Sequence, residues 1–419
     1  MPRHATKPRF LSGRLPGPDA RRIIVLTGAR QTGKTTLVKR LYPELRYINL
    51  DAPENREALR TLHTDAWAKT VGNAVIDEAQ KEPAIFEKVK YAFDDGGVTF
   101  TVLTGSSQVL LLKKIRETLA GRAFFYELWP LMQSELDFLE QNRERPPSLL
   151  DTIIEAGSPA AVLDDAPAKL LGGESSSSMR VEEYLLKWGG MPALLPLDDE
   201  DRWLWLKNYG YTYLERDLAD LAKMDDLMPF RKFQRLSALR SGMLLNYSEL
   251  ARDGGISVDT ARRYLEYLRI SYQTVLLQPY SRNLTSSVVK TPKIYWIDVG
   301  IWRQLTGYRG GVSGQLYETM VVSEIVKWIR TRQADVEIYF YRTRSGMEVD
   351  LLLETGAGLI GMEIKSRATV ARKDPRPLSV LANRLKEDWL GGIVVYAGDE
   401  IRQIGKENIY AVPSKRLLQ

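Results

Sequence analysis

Residues 23–36 read Ile-Ile-Val-Leu-Thr-Gly-Ala-Arg-Gln-Thr-Gly-Lys-Thr-Thr. Four apolar residues run into a glycine loop, and the loop runs into Leu37-Val38, the expected start of a helix. Gly28, Gly33, Lys34 and Thr35 fit the phosphate-loop pattern G-x-x-x-x-G-K-[ST]. The spacing has a physical reason. Glycines let backbone N–H groups turn inward around phosphate oxygens, and the helix N-terminus adds partial positive charge. Lys34 is placed to reach the β- and γ-phosphates, and the Thr35 hydroxyl to hold Mg²⁺. Gly28, Ala29, Arg30, Gln31, Thr32, Gly33, Lys34, Thr35 and Thr36 are therefore the candidate nucleotide cradle.

Downstream, short apolar strands alternate with helices. Arg46–Leu50, Ala74–Asp77, Phe100–Thr104 and Ala123–Tyr126 read as strands, and Pro83–Phe93 reads as a helix. This pattern predicts an α/β fold with a parallel sheet and the ligand at the carboxyl ends of its strands. Asp77 and Glu78 end one buried strand, where carboxylates are costly unless they are used. In a phosphate-loop enzyme the first carboxylate serves Mg²⁺ and the second polarises the attacking water. Ser106, after the next strand, is a candidate contact for the γ-phosphate or that water. Arg122 is the candidate trigger, since an arginine stabilises charge developing on a transferring phosphoryl group. The sequence leaves open whether it serves its own subunit or a neighbour. Asp77-Glu78-Ala79-Gln80 also suggests a helicase, but the alternation ends near residue 130 with no second lobe.

Composition narrows the alternatives. The 419 residues carry a net charge of +6 and 44% hydrophobic residues, enough for several domains and compatible with nucleic acid. With no cysteine, disulfides, thiolate zinc sites and cysteine nucleophiles are excluded, which suits a cytoplasmic protein. Two histidines, His4 and His63, argue against a His-rich metal site. No apolar run approaches the ~20 residues of a membrane span.

The expected organisation is a loose basic arm (1–22), a nucleotide domain (23–140), a mobile Gly/Ser-rich loop with a helical lid (141–229), a winged helix-turn-helix (230–292) and a C-terminal α/β domain (293–419). In the winged helix, Ser257 is placed to cap a second helix with Arg262 and Arg263 outward, and Arg282 and Lys290 fall in the wing. These four are the candidate duplex-DNA contacts. In the last third, Glu318 lies on an amphipathic helix, Asp350 on a strand, and Glu363 and Lys365 on its hairpin partner. That order suits a metal-dependent nuclease, with Asp350 and Glu363 on Mg²⁺ and Lys365 assisting a bound water. The bland alternative is a surface hairpin with ordinary Glu–Lys pairing.

Taken together, the chain resembles prokaryotic AAA-type ATPases that join an archaeal-ATPase-like engine to a winged helix and a C-terminal domain of restriction-nuclease-like (PD-(D/E)XK-like) fold and unknown function. The resemblance spans nearly the whole chain. It rests on residues 28–36, Ile-Asp-Glu-Ala-Gln-Lys (76–81), Leu-Thr-Gly-Ser-Ser (103–107), Leu-Ala-Gly-Arg (119–122), Glu-Arg-Asp (215–217), Glu-Val-Asp (348–350) and Glu-Ile-Lys (363–365). It implies ATP binding and hydrolysis with Mg²⁺, Glu78 acting as catalytic base, and it leaves the biological task open. The leading expectation is an ATP-driven switch or motor that engages DNA through its C-terminal half. The rivals are an ATP-gated nuclease and a signalling ATPase that controls self-assembly or protein docking.

Overall fold

A computed structural model describes residues 7–105, 115, 118–137, 147–170, 173–210, 227–281 and 290–419. The apolar run after Arg21 is an interior strand of a five-stranded parallel sheet. Its strands are β1 (Arg22–Thr27), β2 (Arg46–Asn49), β3 (Ala74–Asp77), β4 (Phe100–Thr104) and β5 (Ala123–Glu127), in the order β2-β3-β4-β1-β5. Ile23 through Leu26 are fully buried, as expected of a strand covered on both faces. Helices α1 (Lys34–Leu41), α2 (Pro53–Thr61), α3 (Trp67–Thr70) and α4 (Ile85–Asp94) connect these strands. The strand order places the ends of β1, β3 and β4 side by side.

Two expectations fail outside this sheet. The N-terminal arm is not loose from Lys7 onward. Phe10–Gly13 form a 3-10 turn, Leu11 is fully buried in the core beside α1, and Arg9 is tied down by three hydrogen bonds. Nor is the region after residue 146 a loop. Following α5 (Gln133–Asp137), it forms α6 (Leu149–Ala156), α7 (Ala160–Leu163) and α8 (Gly173–Trp188). A reciprocal capping box between Ser148 and Asp151 starts α6, and the Gly/Ser run opens α8. Asp151 also receives Trp328 Nε1 at 2.9 Å and Arg332 at 2.7 Å, so α6 is anchored to the last third of the chain.

After α9 (Asp199–Asn208) come α10 (Met228–Leu239), β6 (Met243–Leu244), α11 (Tyr247–Gly254), α12 (Val258–Ile270), β7 (Thr274–Pro279), β8 (Lys293–Trp296) and α13 (Val299–Thr306). The C-terminal third consists of α14 (Gly314–Arg332), β9 (Glu337–Arg342), β10 (Glu348–Thr355), β11 (Gly358–Lys365), α15 (Arg376–Leu385), β12 (Trp389–Tyr396), β13 (Arg402–Gly405), β14 (Ile409–Pro413) and α16 (Ser414–Leu417). β7 pairs in parallel with β9 through Gln278 with Tyr339 and Pro279 with Phe340. That junction fuses the ribbon and the C-terminal strands into one nine-stranded sheet, β13-β14-β12-β11-β10-β9-β7-β8-β6. Lys293–Trp296 pairs with β7 as the ribbon expected from the sequence, and with β6 on its other side, so the ribbon runs past the boundary expected at residue 292. One apolar core runs from Trp129 through α10–α13 into α14 and the C-terminal sheet. No described helix is long and apolar enough to cross a membrane.

Candidate functional site

The glycine loop leaves β1 with Gly28 at φ 147°, and a side chain there would put its Cβ 2.1 Å from the Leu128 carbonyl oxygen. Gly33, at φ 92°, precedes α1. The loop closes on itself. The buried Lys34 ammonium donates to the carbonyls of Gly28 at 2.9 Å and Ala29 at 2.8 Å, and Thr32 Oγ1 donates to Ala29 at 2.9 Å. The Lys34 ammonium is thus held at the centre of the loop, where an incoming anion would compete with two carbonyls for it.

Beside the loop stands Asp77, at the end of β3. Its Oδ2 accepts the Thr35 hydroxyl at 2.7 Å and the Tyr47 hydroxyl at 2.6 Å. Its Oδ1 accepts the Thr104 hydroxyl and the Glu78 backbone N–H. Burial pushes the Asp77 carboxyl up, but the bonds from Thr104, Tyr47, Thr35 and Glu78 outweigh it and hold the group below the usual range. Burial first, and Asp77 second, raise the Tyr47 hydroxyl. Thr35 Oγ1 and the Asp77 carboxylate form a hard-oxygen pair that fits Mg²⁺. Glu78 adopts a left-handed backbone, φ 55°. Such a conformation costs a side-chain-bearing residue about 1–3 kcal/mol and concentrates at functional sites. Its carboxylate is oriented by the Gln80 side-chain amide.

Neither Thr104 nor Tyr47 stands out in the sequence, because both reach Asp77 from neighbouring strands. The loop is also braced from three distant elements. Arg9 donates to Thr32 O at 2.7 Å and to Glu135 at 3.2 Å, and the buried Glu135 carboxylate also accepts the Phe10 and Met132 N–H groups. The Tyr209 hydroxyl, just after α9, donates to Arg30 O at 3.2 Å. Tyr272, after α12, places its hydroxyl 2.5 Å from Thr27 Oγ1. Glu127, paired with Thr27 across β5, is raised by burial against the opposing pull of Arg330. A cavity of about 450 Å³, bordered by Arg9, Thr32, Gly33, Arg40 and Pro192, adjoins the loop.

Arg122 is not near this cluster. It precedes β5, whose first residue pairs with Ile23, whereas the loop follows Thr27. At about 3.3 Å per residue the two ends of the sheet lie about 20 Å apart. Its guanidinium forms a two-point pair with Asp94, at 2.6 and 2.9 Å. Ser106 lies outside the described residues, as does Arg282.

Arg262 and Arg263 are exposed on α12, as expected, and Lys290 is exposed. Asp259 lies 3.7 Å from Arg262, and Glu266 pairs with Arg269 at 2.6 Å, so the outer face of α12 carries both signs of charge.

The structure brings Glu318, Asp350, Glu363 and Lys365 into one cluster and adds groups that the sequence did not single out. Lys293, 2% exposed, contacts Glu318 at 3.3 Å and also pairs with Glu348. Tyr295 donates to Glu318 at 2.7 Å. Asp350 accepts the Ile364 N–H at 2.8 Å, and Lys365 pairs with Glu363 at 2.6 Å. Burial opposes charge on Lys293, but Glu318, Asp350 and Glu348 more than compensate. Burial, then Asp350, push Glu363 up to about 8 against the pull of Lys365, and push Glu318 upward against Lys293. Among the described residues, no group of three or more acidic or histidine side chains is arranged to hold a metal ion. Here two ammonium groups occupy the positions facing the carboxylates.

Comparison with known proteins adds an independent observation. Residues 20–137 match the family described as AAA domain. Residues 179–310 and 313–417 match two domains of unknown function, DUF8612 and DUF4143. The chain is similar to the uncharacterized protein Rv2008c of Mycobacterium tuberculosis, with 27% identity over 406 residues, 94% of this chain and 81% of that protein. It is similar to the uncharacterized protein MJ1544 of Methanocaldococcus jannaschii at 24% over 351 residues, 79% and 72% of the two chains. Among solved structures, the Walker-type ATPase PABY2304 of Pyrococcus abyssi aligns with a TM-score of 0.38 and 17% identity, covering 68% of this chain and 90% of that one. AMPPCP-bound DnaA of Aquifex aeolicus aligns with a TM-score of 0.27 and 15% identity, covering 61% and 84%.

Proposed function

We propose that the chain is an Mg²⁺-dependent ATP-hydrolysing switch that couples nucleotide state to its C-terminal half, with duplex DNA as the candidate load. The observation that carries it is the Asp77 carboxylate, gripped by Thr35, Tyr47 and Thr104 beside the loop lysine. In this reading Lys34 exchanges its loop carbonyls for the β- and γ-phosphates, and the backbone of 28–36 cradles them. Thr35 and Asp77 would hold Mg²⁺, which would supply charge neutralisation on the phosphate oxygens. Glu78 orients a water and accepts its proton as the water oxygen bonds to the γ-phosphorus. The bond from that phosphorus to the β–γ bridging oxygen breaks, leaving ADP and inorganic phosphate. Arg9, Tyr209 and Tyr272 each join the loop region to a different element, and these contacts are the candidate transmission.

We read the order α10, β6, α11, α12, β7, β8 as a winged helix-turn-helix. Its exposed Arg262 and Arg263 support phosphate contacts. The test is ATP turnover by wild type and Glu78→Gln, with and without duplex DNA at low salt. Turnover that needs Glu78 and rises with DNA is expected. Turnover that needs Glu78 but ignores DNA, with no binding at low salt, would remove the DNA part.

A second reading, in which copies of the chain assemble around nucleotide, is favoured by Arg122. An arginine about 20 Å from its own loop serves a γ-phosphate only in a neighbouring copy. A nucleotide-analogue-dependent size increase, lost in Arg122→Ala, is the expected sign.

A further inference from the structure

A cavity of about 720 Å³ lies where the end of α9, the first turns of α10, the glycines closing α11 and the last turns of α13 meet. Four cations border it: Lys207, Arg231, Lys232 and Arg235. Among the described residues no carboxylate borders it, and none pairs with Lys207, Lys232 or Arg235. The rest of its described wall is apolar or glycine except for two glutamines, each with one unmet side-chain atom. Gln234, 3% exposed, has an Nε2 with no acceptor, and Gln304 has a buried Oε1 with no donor. A buried amide without a partner carries a desolvation penalty that a ligand can relieve.

We propose that this cavity binds a nucleoside phosphate at a site separate from the P-loop. The cations match a phosphate, and the unmet Gln234 Nε2 and Gln304 Oε1 call for an acceptor and a donor on the same ligand. A nucleobase supplies both a donor and an acceptor, and the volume suits a small molecule of that size. None of the residues bordering this cavity borders the one beside the P-loop. The site has a route to turnover. Gly210 lines the cavity, and its neighbour Tyr209 donates to Arg30 O in the P-loop. That link to turnover rests on the ATPase reading; binding itself does not.

Equilibrium dialysis of the full chain with ADP tests the site. Wild type is expected to bind two ADP per chain. Lys34→Ala should keep the cavity site. A Lys232→Glu, Arg235→Glu double variant, altered only at exposed side chains, should keep the P-loop site and weaken the other at least tenfold, with Gln234→Met giving a smaller loss. Tyr209→Phe should keep both sites but lose the effect of the second ADP on turnover. One ADP per chain, lost in Lys34→Ala and untouched by the charge reversals, would overturn the proposal and leave the ATPase reading standing. One ADP lost only on charge reversal would keep the cavity site and sink the P-loop reading. Displacement of ADP from the cavity by inorganic phosphate at equal concentration would overturn the nucleoside assignment. So would a charge-reversal defect seen with duplex DNA but not with ADP.

Discussion

The Thr35 hydroxyl donates to the Asp77 carboxylate across 2.7 Å, joining the first turn after the P-loop to the end of β3. Asp77 is held below the usual carboxylate range, so its stabilisation is present above the unfolded value of about 3.9 and is lost as pH falls through the lower folded value. Asp77→Asn removes that increment. The stability gap between wild type and variant is expected to narrow as pH falls from about 5 to about 2. Urea unfolding at stepped pH reads it, and a gap constant with pH would contradict the assigned ionisation.

Glu78→Gln should bind nucleotide and lower turnover by about 10²–10⁴-fold, the usual weight of a positioned base. Nucleotide affinity and single-turnover hydrolysis separate the two effects. A variant that hydrolyses at a tenth of the wild-type rate would move the base elsewhere.

The P-loop and Asp77-Glu78 were legible because each is local, a few residues whose spacing encodes the geometry. Thr104 and Tyr47 were not, since they reach Asp77 only through the lateral order β2-β3-β4. Arg9 and Glu135 are 126 residues apart in sequence, beyond any periodicity, and their pairing is why the supposedly loose arm is fixed. The Gly/Ser run misled because Gly and Ser have low intrinsic helix propensity, whereas packing decides: Ser178 is fully buried and bonded to Gln419. Arg122 was readable in principle. A residue preceding a parallel strand lies at the end opposite the ligand.

Gly28→Ala is expected to abolish nucleotide binding. The new methyl group would lie 2.1 Å from the Leu128 carbonyl oxygen, which is backbone held by its pairing with β1, so either β5 or the loop must move. A strained loop residue of this kind costs about 1–3 kcal/mol even without the clash. Thermal denaturation with and without ADP would show a lower midpoint and no ligand-induced rise. A normal rise would show that the loop tolerates the shift.

Glu363 gives the opposite pH signature to Asp77. Its folded value of about 8 lies above the ordinary carboxylate value. Between about 4.3 and 8 the unfolded chain has released a proton that the folded chain keeps, so this group lowers stability as pH rises through that window. Glu363→Gln should flatten the slope, leaving the variant relatively more stable at pH 8 than at pH 5. Chemical unfolding at those two values checks the sign, and an unchanged slope would mean that Glu363 is ionised beside Lys365 throughout.

Lys293 bears on what the C-terminal cluster does. Its buried ammonium pairs with Glu318 and Glu348, and Asp350 stands near enough to influence its charge. Lys293→Met leaves two half-buried carboxylates without their buried cation, a loss of up to about 3–5 kcal/mol. Adding Glu318→Gln removes one orphaned charge and should recover part of the loss, and a double-mutant cycle in urea reads the coupling. A single variant within about 0.5 kcal/mol of wild type, the range of ordinary surface substitutions, would show that the ammonium contributes little. The same ammonium bears on the nuclease expectation. Asp350 helps to hold its charge, and Lys365 stands 2.6 Å from Glu363 and 4.0 Å from Asp350, so the pair assigned to a divalent cation already faces ammonium groups, and wild type is expected to leave supercoiled plasmid intact with Mg²⁺ or Mn²⁺. Nicking that disappears in Asp350→Ala would reverse that conclusion.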